Sequence, residues 1–328
     1  MKAFSTIPSL LIALFLLVAV GCNKDDDFLP SDLSSFYRLS SFEVGVVPET
    51  RTVQVLFQVK DYDEKGVSTL TEDDFKVTEN NGNIDSEADL RVGRSSIPFS
   101  LKTVLLLDIT RSVEGLIPQI KTAAKTLIQQ KLPEQEMAIY TFDSETVVRQ
   151  TFTTATNELI AAIDAIPETG LVNSTNLYGG VIDVADLWED DYSIDGIVDG
   201  SLVVFTDGRH NASQAVKLSH ALDALDNKRV YIAALASPDL DEDALKALAR
   251  SDDRYFKADD IAGLEQTFLN IQSGIQSLSN SIYFLYYQSP ITDPSPYEND
   301  LEIEIQANSN VGSDRRIIEK FNSAGFGN

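Results

Sequence analysis

The stretch VLLLDITRSVEG, residues 104–115, decides the fold, because an apolar run passes directly into an aspartate followed by two hydroxyl side chains. Consecutive Val and Leu residues are typical of a parallel strand that is buried on both faces. Such a strand ends in a polar loop that begins the next helix, and this accounts for Asp108. It leaves Thr110 and Ser112, which follow the aspartate at two-residue intervals, to be explained.

Strand and helix patterns alternate around this stretch, from residue 101 to about residue 280. Strands are predicted in TVLLLD, EMAIYTFDS, TVVRQTFT, SLVVFTDG, RVYIAALAS and DRYFKA, and helices in 114–130, NELIAAIDAI, TNLYGGVIDVADLW, 213–225, 241–250 and 259–279. This alternation predicts an α/β fold with a doubly wound, mostly parallel sheet that is covered by helices on both faces.

Both ends of the chain carry β patterns instead. Residues 43–60 alternate apolar and polar side chains, and three further runs do so after residue 280. Neither set is sufficient for a stable sheet in solution. We therefore predict one β-sandwich built from both ends, with the α/β domain inserted between them; two separate small β modules are the alternative. The turn DYDEKG resembles half of a calcium loop at Asp61 and Asp63, but it lacks the downstream acid, which favours a plain hairpin turn.

The composition of the chain limits the classes of molecule that the protein can bind. The 328 residues include 26 Lys and Arg against 51 Asp and Glu, a net charge of −25, with 43% hydrophobic residues. This is a globular composition, and its charge repels phosphate backbones, so nucleic acid is excluded as a partner. An anionic ligand would need a local positive centre.

The N-terminus has the pattern of an export signal. One Lys precedes the apolar run LLIALFLLVAV, which is short for a membrane span. The following AVGC resembles the lipobox of bacterial lipoproteins, which implies a signal peptide at 1–21 and lipidation, as with palmitate, at Cys22. An incidental thiol in an uncleaved anchor is the alternative. The next residues, NKDDD, are similar to a tag that directs lipoproteins of some Gram-negative lineages to the outer face of the cell. Surface display on the outer membrane is therefore the expectation.

These patterns divide the chain into five segments. Cys22 is the only cysteine, so no disulfide is available and stability must come from core packing. The predicted segments are the signal peptide (1–21), an acidic tether (22–40), the N-terminal part of the sandwich (41–100), the α/β domain (101–280) and the C-terminal part of the sandwich (281–328).

Oxygen-bearing side chains are predicted to meet at one edge of the sheet. Ligands of open α/β sheets bind beyond the carboxyl ends of the strands, where Asp108 and Asp207 stand. The segment NSTN at 173–176 opens a helix and brings Thr175 to the same edge. A set of oxygen atoms without nitrogen or sulfur selects Mg²⁺, Mn²⁺ or Ca²⁺.

The segments DITRS, NSTN and FTDG resemble the metal-ion-dependent adhesion site of von Willebrand factor type A domains. The resemblance implies that Thr110, Ser112 and Thr175 bind the metal directly, while Asp108 and Asp207 hold it partly through water. Thr110 stands where the family usually has Ser, and its methyl group stiffens the side chain. The alternative is a set of ordinary strand-end and helix-cap residues without a metal.

A metal held by three neutral hydroxyls and two carboxylates keeps an exposed position that favours a further acid. We expect an adhesion-type module that binds an Asp or Glu carboxylate of a protein partner, with Arg111 and His210 at the rim. A solvated arginine and a surface histidine are the alternatives for these two residues. A structural envelope component whose metal only stabilises the domain is the alternative function. An enzyme is not expected, because the chain has neither G-x-S-x-G nor H-E-x-x-H and only two histidines, His210 and His220.

Overall fold

The computed structural model describes residues 33–93, 97–212, 215–292 and 298–327. The predicted signal peptide, the lipidation site at Cys22 and the tether up to residue 32 lie outside the described residues. Within these ranges, no helix has both the length and the apolar character needed to cross a membrane.

The elements follow the predicted alternation. The strands are β1 (Arg38–Val47), β2 (Thr52–Lys60), β3 (Phe75–Glu79), β4 (Gly82–Ile84), β5 (Arg91–Gly93), β6 (Phe99–Asp108), β7 (Gln135–Phe142), β8 (Thr146–Thr153), β9 (Asp191–Ser193), β10 (Gly196–Thr206), β11 (Val230–Leu235), β12 (Tyr255–Ala258), β13 (Ile282–Gln288), β14 (Glu298–Ile305) and β15 (Arg316–Asn322). The helices are α1 (Ile117–Gln129), α2 (Thr156–Asp164), α3 (Leu177–Ala185), α4 (Leu218–Ala224), α5 (Glu242–Ala249) and α6 (Leu264–Asn280).

The central sheet has the strand order β12-β11-β10-β6-β7-β8, and β9 pairs with β10 outside this order. The pairs from β12 to β7 are parallel, and only β8 and β9 run antiparallel to their neighbours. Alternate residues of β6 enter opposite cores, because successive side chains of a strand point to opposite faces. Leu105 and Leu107 pack with α1, α2 and α6, whereas Val104 and Leu106 pack with α3, α4 and α5. The predicted doubly wound α/β fold is confirmed.

The strand order reverses between β6 and β10. These two strands are parallel neighbours, but the chain continues from β6 to β7 on one side and from β10 to β11 on the other. The connecting loops therefore diverge at the carboxyl ends of β6 and β10 and leave a crevice there, which is where open α/β sheets bind ligands. Asp108 and Thr206 are the last residues of these strands.

The two ends of the chain form two packed antiparallel sheets with the orders β1-β2-β13-β5 and β15-β14-β3-β4. C-terminal β13 pairs with N-terminal β2, and C-terminal β14 pairs with N-terminal β3. Phe57, Tyr287 and Ile303 are buried between the sheets. The single sandwich is confirmed, and the alternative of two separate modules is wrong. Its first strand begins at Arg38, before the predicted start at residue 41.

The segment DYDEKG forms a tight turn after β2. The Asp61 amide donates to the Lys65 carbonyl over 2.8 Å, and the Lys65 amide donates to Asp61 Oδ1 over 2.9 Å. The Asp61 side chain therefore closes the turn, as the hairpin interpretation predicted.

The sandwich packs against the amino-terminal edge of the central sheet, away from the crevice. Leu56 and Ile282 form a small buried cluster with Ile197 near the start of β10. The ring of Tyr192 stacks on Phe42 with their centroids 4.3 Å apart. Because nine steps along β10 lead from Ile197 to Thr206, about 30 Å separate this junction from the crevice.

Three predicted helices begin later than expected. The segment from Arg111 to Leu116 is a 3₁₀ helix, and α1 begins at Ile117, where Pro118 suits the first turn. Helix α4 begins at Leu218, since the backbone of Lys217 is extended; residues 213 and 214 lie outside the described residues.

The last helix, predicted over 259–279, also starts late. Helix α6 begins at Leu264 after a 3₁₀ turn at Ile261–Gly263. The Asp260 side chain accepts a hydrogen bond from the Gly263 amide and caps this turn. Asp and Gly therefore favour a separate turn here over one continuous helix.

Candidate metal centre

Asp108 ends β6 at the crevice, and its carboxylate is fully buried. Oδ1 accepts hydrogen bonds from the Thr110 amide over 2.9 Å and from Thr110 Oγ1 over 2.7 Å. Oδ2 accepts a bond of 2.7 Å from Thr206 Oγ1. Burial raises the pKa of Asp108 to about 6, although the hydrogen bonds from Thr206 and Thr110 oppose this shift.

The loop after β6 presents the two hydroxyls. Thr110 has an extended backbone and directly precedes the 3₁₀ helix, so its side chain and that of Ser112 lie on the same side of the turn. Thr110 Oγ1 and Ser112 Oγ are 3.0 Å apart, and Ser112 Oγ donates to Asp207 Oδ1 over 2.8 Å. Hydroxyls and carboxylates from β6 and β10 therefore form one continuous chain of contacts.

Asp207 follows β10, and it is nearly buried. Burial raises the pKa of its carboxyl group, and the hydrogen bond from Ser112 acts in the opposite direction. The loop after β11 holds the Asp207 backbone, because Ser237 Oγ donates to the Asp207 carbonyl. Ser237 Oγ also accepts a bond of 3.2 Å from the Asp239 amide. This link fixes Asp239 beside Asp207.

Thr175 is the third predicted hydroxyl, and it lies buried just before α3. Asn211 holds it: the Thr175 amide donates to Asn211 Oδ1 over 2.7 Å, and the Asn211 amide donates to the Thr175 carbonyl over 3.0 Å. Asn211 Nδ2 lies 3.5 Å from Thr175 Oγ1. The loop after β10 therefore positions the loop before α3.

These loops enclose a cleft of about 340 Å³, named here the metal cleft. Ser112, Thr175 and Asp207 line it, while Asp108 and Thr110 are buried. Thr110 joins the cleft through its contact with Ser112, and Asp108 through its hydrogen bond from Thr110. Its other lining residues come from the loops before α3, after β10 and after β11: Asn173, Gly208, Arg209, Asn211, Ser237, Pro238 and Asp239.

The donor set fits a hard divalent cation. In the described part of the chain, three or more His, Cys, Asp or Glu side chains nowhere gather as a metal cluster, so the hydroxyls must supply much of any shell here. Ligand oxygens about 2.1 Å from Mg²⁺ in an octahedron lie about 3 Å from one another. The contacts Asp108–Thr110, Thr110–Ser112 and Ser112–Asp207 are 2.7, 3.0 and 2.8 Å long. These are also the ordinary lengths of O–H···O hydrogen bonds, so a cation that replaced the shared hydrogens would require little movement of the oxygens.

The sequence profile of the von Willebrand factor type A domain matches residues 103–270. The chain belongs to this family. The match covers the central sheet from residue 103 of β6 to β12, and every loop of the metal cleft. Type A domains generally act as interaction modules, and no enzyme family is matched.

Several solved structures are similar to this chain at low sequence identity. Proximal thread matrix protein 1 from the mussel byssus, solved with a zinc-occupied MIDAS motif, is 13% identical over 61% of this chain and 50% of that one, with a TM-score of 0.46. The von Willebrand factor domain of the type V pili tip protein Mfa5 from Porphyromonas gingivalis is 13% identical over 56% of this chain and 96% of that one, with a TM-score of 0.45. A type A protein from Catenulispora acidiphila is 10% identical over 88% of this chain and 73% of that one, with a TM-score of 0.49. The chain spans about half the length of the mussel protein. No curated protein matches it significantly in sequence.

The two predicted rim residues of the type A domain lie beside the metal cleft rather than in its lining. The Arg111 side chain is exposed, and its Nε donates to the Leu171 carbonyl over 3.3 Å. His210 stacks on Tyr178 with ring centroids 4.3 Å apart, and its Nδ1 accepts from the Tyr178 amide over 3.4 Å. Arg209 is the arginine that lines the cleft. The second histidine, His220, is exposed and lies in the first turn of α4, where its Nδ1 accepts from the Lys217 amide over 3.4 Å.

Three residues in or beneath the metal cleft of the type A domain are not among the site residues predicted from the sequence. Thr206 precedes Asp207 in FTDG and binds Asp108, and its position at the strand end is a signal that the sequence does offer. Asn211 and Asp239 have no such signal, because their placement depends on how the loops after β10 and β11 meet Thr175 and Asp207.

Proposed function

We propose that this protein is a divalent-metal-dependent binding module that grips a carboxylate of a protein partner. The ligands proposed are Asp108, Thr110, Ser112, Thr175 and Asp207. The metal proposed is Mg²⁺, with Mn²⁺ or Ca²⁺ as substitutes, since all five donors are oxygen atoms. When bound, the ion would supply a Lewis-acidic position for the partner's oxygen atom.

The observation that supports this proposal is the open cleft above a pre-formed chain of oxygen atoms. Ser112 is exposed and Asp207 is nearly buried, so one side of the set faces solvent while the other is packed into the domain. Two carboxylates match the charge of one dication, and the remaining donors are neutral. Such a centre has room for one more oxygen ligand from outside.

The protein's own charge favours a local positive centre as the means of recognition. A net charge of −25 repels an acidic partner as it approaches, although salt screens the repulsion beyond about 8 Å at physiological ionic strength. A cation in the metal cleft would cancel the negative charge of Asp108 and Asp207 locally, so that these two groups would no longer repel an incoming carboxylate. Arg209 in the lining would add a second positive group for the same carboxylate.

We further propose that the protein is lipid-anchored at Cys22 in the cell envelope, on the outer membrane of a Gram-negative bacterium, with residues 22–40 as its tether. The strand that follows the tether, β1, belongs to the sandwich, which packs at the end of the central sheet opposite to the metal cleft. An anchor on that side would leave the metal cleft facing away from the membrane.

The metal part of the proposal is tested by titrating MnCl₂ into the purified protein in a calorimeter. Asp108→Asn and Thr175→Val should each lower the affinity for Mn²⁺ by at least about tenfold. Thr122→Val, which changes an exposed threonine of α1, should leave it unchanged. Equal affinity of the wild type and Thr175→Val would contradict the assignment of ligands.

The carboxylate part is tested by titrating a short Glu-containing peptide and its Gln counterpart into the Mg²⁺-loaded protein. The Glu peptide should bind and the Gln peptide should not, and removal of Mg²⁺ should abolish binding without a change in the circular dichroism spectrum. If metal removal instead lowers the melting temperature and neither peptide binds, the metal has a structural role and the alternative function is correct.

A further inference from the structure

A second cleft lies at the opposite edge of the central sheet from the metal cleft, and it gathers positive side chains. Its volume is about 500 Å³, and four of its lining residues are cationic: Lys228, Arg229, Arg250 and Arg254. Tyr192, Asn227 and Asp190 complete the lining. It is named here the basic cleft. We propose that the basic cleft binds a small polyvalent oxyanion, either a phosphate compound or a polycarboxylate, independently of the metal cleft.

The concentration of positive charge is unusual for this chain. Acidic residues outnumber basic ones by 51 to 26 in the whole sequence, yet the lining of the basic cleft has four cations and one acid. A cleft walled by one sign of charge focuses the field and raises the local concentration of the opposite ion. Because the rest of the protein is negatively charged, an anion would be attracted to the basic cleft and repelled from the surrounding surface.

Arg254 is the residue that points most directly to an anion. Its Nε is buried without a hydrogen-bond partner among the described residues, and no carboxylate in the described ranges lies within 4.0 Å of its guanidinium group. A buried donor without a partner costs free energy, and an arginine prefers a planar oxyanion that can accept two parallel bonds. The Arg254 guanidinium group can therefore still donate hydrogen bonds to an anion in the basic cleft.

Arg229 forms the inner wall of the basic cleft, and its position is fixed. Its Nη1 donates to Asp199 Oδ1 over 2.8 Å, and Tyr192 OH donates to the same oxygen over 2.7 Å. Asp199 is fully buried, whereas 14% of the Arg229 side chain is exposed. The bond to Asp199 thus holds the Arg229 guanidinium group in place before any ligand binds, which lowers the entropic cost of binding.

Two of the four cations of the basic cleft already have an acidic partner, Asp199 for Arg229 and Asp226 for Arg250. Asp190 Oδ1 accepts from Trp188 Nε1 over 3.0 Å and from the Gly200 amide over 2.7 Å, so this oxygen is used by neutral donors. Asp226 binds Arg250 over 3.2 Å, but its side chain is 70% exposed and the pair is correspondingly weak.

The electrostatic field of the basic cleft extends to the sandwich. Burial lowers the pKa of Lys60 on β2, and the charges of Arg229 and Arg254 lower it further, whereas the charge of Asp253 raises it. A third cation nearby thus experiences net repulsion from these two arginines. A bound oxyanion would relieve this repulsion.

The test is calorimetric titration of two probes, pyrophosphate and citrate, into protein freed of divalent cations by gel filtration in a low-salt buffer without phosphate. Arg254→Gln and Lys228→Gln should each weaken binding about tenfold, the loss expected for a charge-assisted hydrogen bond. Arg254→Lys should retain part of the affinity, since it keeps the charge. Arg91→Gln, at an exposed arginine of the sandwich, should bind like the wild type.

The probe that binds more tightly identifies the source of the oxyanion, phosphate or carboxylate. The proposal is overturned if neither probe binds, or if both Arg254→Gln and Lys228→Gln bind as the wild type does. Because divalent cations are absent and the substituted residues lie at the other end of the sheet, this result is independent of the metal cleft. Arg229 is left intact, since removing it would strand the buried Asp199 carboxylate.

Discussion

Ser112 Oγ donates a hydrogen bond of 2.8 Å to Asp207 Oδ1, although the two residues are 95 positions apart in the chain. Ser112 lies in the loop after β6 and Asp207 in the loop after β10, and these strands are parallel neighbours. The contact joins the two halves of the central sheet at the place where the strand order reverses. Any ligand of both residues must therefore sit in the crevice between them.

Ser112→Ala removes this hydroxyl and the hydrogen bond to Asp207. We expect the affinity for Mn²⁺ to fall by about tenfold or more, since a ligand and an orienting contact are lost together. The fold should persist, because the Ser112 side chain is exposed. Calorimetric titration with MnCl₂ measures the effect, and Ser144→Ala, at another exposed serine, is the matched control. An unchanged affinity in Ser112→Ala would remove Ser112 from the metal centre.

Asp239→Asn removes a negative charge that lines the metal cleft but is not a proposed ligand. We expect the affinity for Mn²⁺ to fall about threefold, the size of effect typical of an exposed charge pair. The affinity of the loaded protein for the Glu-containing peptide should rise, because Asp239 repels an incoming carboxylate. Asp243→Asn makes the same charge change on α5 outside the cleft lining and should have a smaller effect on both titrations. If the two variants behave alike, Asp239 acts only through the overall charge.

Glu79→Gln tests a buried carboxyl group inside the sandwich. Burial raises the pKa of Glu79, despite hydrogen bonds from Tyr287 OH and Ser289 Oγ. Between the unfolded and the folded pKa, the folded protein binds more protons than the unfolded chain, so the free energy of unfolding rises as the pH falls. This stabilisation is fully present below the unfolded pKa, about 4.3, and is lost as the pH rises through the folded pKa.

Urea denaturation between pH 7 and pH 4 measures this effect. The free energy of unfolding of the wild type should increase relative to that of Glu79→Gln as the pH falls. Glu298→Gln changes an exposed glutamate of β14 and should follow the wild type across the same range. Parallel curves for the wild type and Glu79→Gln would show that this carboxyl group is not responsible for the pH dependence.

Gly66→Ala tests the contact between the sandwich and α6. A Cβ atom at Gly66 would lie 2.1 Å from the Ser277 carbonyl oxygen, a backbone atom that cannot swing away. The turn after β2 would have to separate from α6, and the Ser277 Oγ to Gly66 carbonyl bond of 2.9 Å would be lost. We expect the free energy of unfolding to fall by about 1–3 kcal/mol. Gly93→Ala has open space around its added methyl group and should cost less; equal losses would contradict the steric explanation.

Much of the fold could be predicted from local patterns. The apolar runs of β6 and β10 and the helical periods between them predicted the doubly wound sheet, since burial on both faces requires such runs. Local patterns were less accurate at helix starts, as at Ile117 and Leu264, where a 3₁₀ turn replaces the first predicted turn of helix. Capping and 3₁₀ geometry depend on a few hydrogen bonds that periodicity does not reveal.

The sequence by itself determined which chemistry is available: oxygen atoms at the ends of two buried strands and at the start of one helix, in a strongly acidic chain. It did so because strand ends and helix starts are local properties of Asp108, Asp207 and Thr175. Only the tertiary structure decided that Asn211 holds Thr175, that Asp239 stands beside Asp207, and that four cations meet in the basic cleft. These relations join loops that are distant in the chain, and their geometry follows from the packing of the sheet rather than from any local pattern of residues.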